Sequence, residues 1–165
     1  MFKYFYNFTL NSKNCGYSYL QFDQTSLLSN TRFLKEDGEI YANTFLLKLD
    51  GQRVLACKHG SNPWISMSNY PPNHFPSCAY PLLLPRVSSN PYSYVQLSED
   101  DGSVISETIL LMTGDDIVES QNGIETRRFT MRDKVPIKID WGSAISYLCE
   151  TADEAIADSG IEFIG

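Results

Sequence analysis

Residues 123–165 read GIETRRFTMRDKVPIKIDWGSAISYLCETADEAIADSGIEFIG. Their first half alternates as a half-buried strand does. From Ile124 to Arg132, Arg127, Phe129 and Met131 project one way and Arg128, Thr130 and Arg132 the other. The run from Val135 to Trp141 alternates again, with Ile137, Ile139 and Trp141 set against Pro136, Lys138 and Asp140. A two-residue loop would mix polar and apolar side chains on both faces of this hairpin. A three-residue loop of Asp133, Lys134 and Val135 instead pairs Met131 with Ile137, Phe129 with Ile139 and Arg127 with Trp141. A one-residue slip would turn every side chain to the other face, so the three-residue loop is the expected register. It lacks the glycine that such a loop usually places in the left-handed position.

A helix is expected next. Ile145, Leu148, Cys149, Ala152 and Ile156 recur at spacings of three and four, an apolar stripe able to lie on a sheet. Ser143 is its expected cap, and Ser159-Gly160 its stop. Thr151 and Glu154 also form a capping-box pattern, which leaves open two short helices broken near Glu150. The polar side of the stripe carries Glu150, Asp153, Glu154 and Asp158, the candidate surface for a basic partner. No Lys or Arg follows Lys138, so most of the chain's formal charge of −7 resides in this last segment. Solvation alone is the simpler account of that face.

Working outward, 165 residues with 42% hydrophobic side chains suit one domain spanning 1–165 with a buried core. Ten tyrosines and nine phenylalanines favour strands. The excess of acid argues against nucleic-acid binding, which needs clustered Lys and Arg facing phosphates. No run reaches the roughly 18–20 apolar residues of a membrane helix, so no membrane association is expected. Residues 1–10 alternate, with Phe2, Tyr4, Tyr6, Phe8 and Leu10 on one face, which marks a strand and no signal peptide. Cys15, Cys57, Cys78 and Cys149 are then expected to be free thiols in a cytoplasmic protein.

Asn11 to Gly16 has turn character and Tyr17 to Phe22 that of a second strand. In Gln24 to Lys35, leucines at helical spacing compete with Ser29-Asn30-Thr31, predicting a short helix or an irregular loop. Glu39 to Lys58 is a hairpin about Asp50-Gly51, and Tyr92 to Met112 another about residues 99–102. Between them, residues 60–91 hold seven of the eight prolines together with Trp64, Tyr70, Phe75 and Tyr80. Proline removes ladder donors, so this segment is irregular, packed on the body by its aromatics, with Leu82-Leu83-Leu84 an edge strand or plug. Ile117-Val118 is a short strand or connector. The expected class is α+β, predominantly β: a curved antiparallel sheet or partly open barrel of about eight strands with one C-terminal amphipathic helix packed on it.

Three constellations carry candidate chemistry. Cys57 and His59, two apart on a strand, together with His74 and Cys78 would complete a Cys2His2 set suited to zinc; a buried thiol and loop histidines account for them equally. Arg128, Arg132 and Lys138 share the polar face of the terminal hairpin, where they would bind an anion or simply face water. Trp64, Tyr70, His74 and Tyr80 would line any pocket between the sheet and the proline-rich segment. No nucleophile elbow, phosphate loop or dinucleotide fingerprint occurs, and the carboxylate pairs fall in turns. The sequence therefore leans away from an enzyme and implies no cofactor. It supports a small acidic binding or accessory protein, an inhibitor or immunity-like partner of a basic protein. The alternatives are a small-molecule binder or enzyme with a pocket under the proline-rich segment, and a structural protein that self-associates.

Overall fold

Tight turns dictate the order of the sheet. The computed structural model describes Met1–Gly165, and in it three two-residue turns hold both central residues at positive φ: Asn11-Ser12, Asn122-Gly123 and Asp133-Lys134. Gly51 and Gly114 each occupy the first central position of a further two-residue turn, again at positive φ. Such turns match the twist of the strands they join, so each folds the chain straight back on itself. The strands are β1 (Phe2–Leu10), β2 (Lys13–Phe22), β3 (Ser26–Leu34), β4 (Ile40–Asp50), β5 (Arg53–His59), β6 (Ile65–Ser66) and β7 (His74–Pro76). They continue as β8 (Tyr92–Leu97), β9 (Val104–Thr113), β10 (Asp116–Gln121), β11 (Ile124–Arg132), β12 (Val135–Asp140) and β13 (Ile145–Cys149).

All thirteen join one open sheet in the order β6-β5-β4-β3-β2-β1-β13-β12-β11-β10-β9-β8-β7. Every pairing is antiparallel except β7 with β8. The last strand pairs with the first, Phe5 opposite Cys149 and Thr9 opposite Ile145, which joins the two halves of the meander. A twisted sheet this wide curls. Its two ends meet through side chains instead of a ladder: His59 Nδ1 lies 2.5 Å from Asp100 Oδ1, and the Tyr70 hydroxyl donates to the Gly102 carbonyl at 2.8 Å. Arg86 Nη2 likewise donates to the Gln52 carbonyl.

Inside the curl lies the main core. Tyr6, Leu20, Leu27, Leu47, Leu110, Ile117, Phe129 and Ile139 face inward from strands on both sides. Part of this interior is filled by residues 77–86, a 3-10 turn, a short helix α1 (Tyr80–Leu83) and a second 3-10 turn. Leu82, Leu83 and Leu84 are buried there, so the leucine run is a helical plug.

The expectation of a curved sheet or partly open barrel of about eight strands with one C-terminal amphipathic helix is overturned by a single open sheet of thirteen strands. Ile145–Cys149 is β13, inserted between β1 and β12, and its ladder bonds on both edges outweigh a helical spacing of leucine and isoleucine. Ser146 and Leu148 face inward. Only α2 (Ala152–Ile156) is helical, and it begins at Thr151, whose Oγ1 accepts the Glu154 amide at 3.1 Å. This helix packs on the outside of the sheet with Ile161 and Phe163, against Phe5, Tyr17 and Tyr19. The stretch expected as a short helix or loop is β3, paired along its whole length with β4 and from Leu27 to Phe33 with β2. β10 is a full strand between β9 and β11, and two short edge strands emerge inside the proline-rich segment.

The terminal hairpin shows how its register is reached. Arg128 faces Asp140, Phe129 faces Ile139 and Thr130 faces Lys138, the pairing expected from the alternation. The turn is not the expected three-residue loop. It is the two-residue Asp133-Lys134, and a shift between Thr130 and Met131 absorbs the difference, so that Met131 faces Pro136.

Candidate functional site

Glu119 on β10 and Arg127 on β11 are direct cross-strand partners, both turned into the curl beside Ile117 and Phe129. Their side chains are 2% and 12% exposed. The pairing is two-pronged: Arg127 Nε donates to Glu119 Oε1 at 2.9 Å and Nη2 to Oε2 at 2.5 Å. Thr126 Oγ1 and the Tyr94 hydroxyl also donate to this carboxylate. Gln96 donates to the Tyr94 hydroxyl, and Gln121 to Gln96 and Thr108, which extends the network across four strands. Burial opposes the charge on Arg127, and Glu119 overrides it, so the guanidinium is held above its ordinary range. Burial and then Glu119 push the Tyr94 phenol up, keeping it a donor.

The guanidinium lies 5.0 Å from the centre of the Tyr80 ring and 6.0 Å from that of Trp141. Its Nη2 also reaches the Ser77 carbonyl. Nη1 bonds to nothing in the protein. Since no buried side-chain polar atom lacks a partner, Nη1 is reachable by solvent. Arg127 helps to line a cavity of about 290 Å³ between the concave sheet and the start of the plug. Phe8, Phe33, Tyr41, Phe45 and Trp141 form apolar walls; Tyr80, Ser77 and Cys78 come from the plug; Ser29, Thr31 and Asn43 add polar atoms.

Local sequence explains these walls. Gly16 on β2 is opposite Phe8 on β1 and Phe33 on β3. Because glycine offers no side chain there, the two rings close over it and stack, centres 4.3 Å apart at 14°. Ser29 and Thr31 alternate with outward residues along β3. The polar run that seemed to weaken a helix is thus a strand placing hydroxyls in the cavity. At the rim, His59 bonds Asn43 Oδ1 through Nε2 and Asp100 through Nδ1, leaving Asn43 Nδ2 without a partner. Below, buried Glu99 accepts from Ser77 Oγ at 2.6 Å and the Cys78 amide at 2.7 Å, anchoring the plug.

A second hollow of about 400 Å³ lies against Tyr80, Pro81 and Leu84, lined by Phe2, Tyr4 and Phe22. Its charged lining residues, Asp133 and Lys134, come from an exposed turn, whereas the first cavity is lined by the nearly buried Arg127 guanidinium. Convergent polar groups among apolar walls are what mark a specific site, so the Arg127 cavity is the candidate.

Of the residues expected to line a pocket, only Tyr80 lies at this cavity. Tyr70 and His74 share a different hollow with Arg86 and Gln52, and Trp64 is exposed beside Lys48, whose Nζ sits 4.4 Å above its ring. The cationic set faces outward: Arg128 is held by Asp116 at 2.9 Å and Glu125 at 2.7 Å, and Lys138 lies over Tyr147. Cys57, His59, His74 and Cys78 do not converge, and no group of three or more His, Cys, Asp or Glu side chains is placed to hold a metal. Cys57 and Cys78 are buried, whereas His59 is tied to Asn43 and Asp100 and His74 lines the hollow shared with Tyr70. On the acidic face, Glu150, Asp153, Glu154 and Asp158 are exposed, but the Glu154 carboxylate accepts the Glu150 amide and so serves the helix start. Arg127 and Glu119 were missed. The signal was present: a charge alternating in phase with Phe129 and Met131 on the apolar face of β11.

Buried acids in this region make an alkaline prediction. Burial, then Glu99, pushes the Cys57 thiol from 9.0 up to about 11, and burial pushes the Tyr80 phenol from 10.0 up to about 12. In that interval the unfolded chain has released protons that the native state keeps. Stability from these groups is therefore complete below pH 9.0 and is lost as pH rises toward about 12. Urea midpoints measured across this range should fall steadily, and substituting Cys57 with Val should flatten the lower part of the fall. An alkaline decline unchanged by the substitution would remove Cys57 as a cause.

No family model, curated protein or solved structure matches the chain. No helix is long and apolar enough to cross a membrane.

Proposed function

We propose that the protein binds a small molecule in the cavity between the concave sheet and the plug. The observation that carries this reading is Arg127, bonded through Nε and Nη2 with Nη1 left unpartnered, on the lining of an aromatic-walled space of about 290 Å³. Pockets of roughly 300 Å³ and above, apolar with a few placed polar groups, are the usual form of ligand sites. Binding is favoured over nucleophilic catalysis. Cys78 is the thiol at the cavity, and burial with Glu99 beside it pushes that thiol well up, away from the reactive thiolate. The acidic surface of α2 remains a candidate for a basic partner, but it has no comparable geometric feature to single it out.

Trp141 reports on the site directly. In a Trp64→Phe variant it is the sole tryptophan, and its emission should shift and quench as an uncharged, environment-sensitive aromatic dye is titrated in. Ser29→Leu, which fills the cavity from β3, should weaken that response by about tenfold or more, equivalent to roughly 1.4 kcal/mol. Binding with undiminished affinity to Ser29→Leu would place the ligand elsewhere and sink the reading.

A further inference from the structure

We infer that the ligand is an uncharged, planar ring molecule presenting a carbonyl-type acceptor to Arg127, and not a carboxylate; this rests on the cavity being the binding site. An arginine at the floor of a pocket ordinarily suggests an anionic ligand. Here the charge is already matched. Glu119 takes Nε and Nη2 in a two-pronged pair and is itself 2% exposed, so the pair presents one free nitrogen, Nη1 with its two N–H groups, and little net charge. Glu99 lies behind Ser77, a second buried carboxylate near the floor, bonded to neutral donors alone. A ligand carboxylate at Nη1 would give up its hydration to enter a site that already holds two negative groups and one positive. A neutral acceptor meets the same donor without that cost. Asn43 Nδ2 is a second unpaired donor on the lining. The hydroxyls of Ser29 and Thr31 are uncharged as well.

Shape follows from the walls. Phe8 and Phe33 are stacked, and Phe33 continues to Tyr41 at 4.8 Å between ring centres, forming a broad aromatic surface on one side. Trp141 and Tyr80 stand edge to face at 6.1 Å near Arg127. A flat ring slots against such surfaces with its acceptor at the guanidinium edge.

Three probes of similar ring size separate the ideas by equilibrium dialysis: coumarin, a carboxylated coumarin and naphthalene. Coumarin should bind the wild-type protein about tenfold tighter than either of the others, since its lactone carbonyl meets the free donor without adding charge. Glu119→Gln then exposes the full charge of Arg127. In that variant the carboxylated probe should overtake coumarin and raise the thermal midpoint more than coumarin does. If Glu119→Gln does not fold, the wild-type ranking decides alone. Tightest binding of the carboxylated probe to wild type would overturn the inference in favour of an anion site. Naphthalene matching coumarin would overturn it while leaving an apolar ligand site standing, and binding of none of the three would remove the cavity reading itself.

Discussion

Glu119→Ala is expected to lower stability by about 3–5 kcal/mol, the usual cost of leaving one partner of a buried ion pair alone. Arg127 would keep its charge in a place where its side chain is 12% exposed, and Tyr94 would lose its acceptor, while Thr126 would retain only the main-chain carbonyl of residue 119. The comparison that gives the number meaning is Glu125→Ala. Glu125 holds Arg128 at 2.7 Å, a shorter distance than many buried contacts, yet both side chains are more than a third exposed. Water screens that pair, and its loss should cost less than about 1 kcal/mol. Urea denaturation of the two variants measures both. A double change of Glu119→Ala with Arg127→Met should recover much of the loss, because it removes the stranded charge as well. Equal midpoints for Glu119→Ala and Glu125→Ala would show that water screens the interior pair as fully as the surface one.

Gly16→Ala should be comparably severe, above about 3 kcal/mol, at the far end of ordinary overpacking. A methyl at this position would run into the Arg32 carbonyl oxygen and come within 2.5 Å of Phe33 Cα. Both obstacles are backbone of the neighbouring strand, so β2 and β3 would have to part. The same shift would separate Phe8 from Phe33 and open the aromatic wall, so any protein that still folds should bind cavity ligands poorly. Gly60→Ala is the control: φ is +54° but nothing lies within reach of the added methyl, so only the left-handed backbone cost of roughly 1–2 kcal/mol applies. Thermal midpoints for the pair distinguish a clash from loss of glycine's flexibility. A Gly16→Ala protein as stable as Gly60→Ala would mean that the sheet can move aside there.

Strands with clean alternation and a strong turn were legible in the residues. Phe129 opposite Ile139 follows from alternation alone, as does the inward face of Tyr4, Tyr6 and Phe8. The thirteen-strand order was not. β13 carries apolar residues at helical spacing, and nothing within five residues reveals that β1 and β12 wait on either side with unpaired ladder groups. β3 was obscured for the opposite reason: its inward Ser29 and Thr31 face a cavity, not a packed core, so the alternation of hydrophobicity disappears where the interior is left open. Arg127 was placed correctly beside Trp141, but a sequence cannot show that Glu119 stands opposite it or that one nitrogen is left over.

By itself, then, the sequence determined a β-rich chain, its principal hairpins, the aromatic and proline-rich character of residues 60–91, and the acidic C-terminal end. Those are local properties, set by side-chain period, turn conformation and charge within a few residues. Tertiary structure alone decided that the first and last strands pair in the middle of the sheet, that residues 77–86 enter the curl as a plug, and that a matched charge pair with one free nitrogen lines a cavity. Each of these joins residues far apart in the chain, where burial and ladder pairing, not local preference, supply the larger free energy.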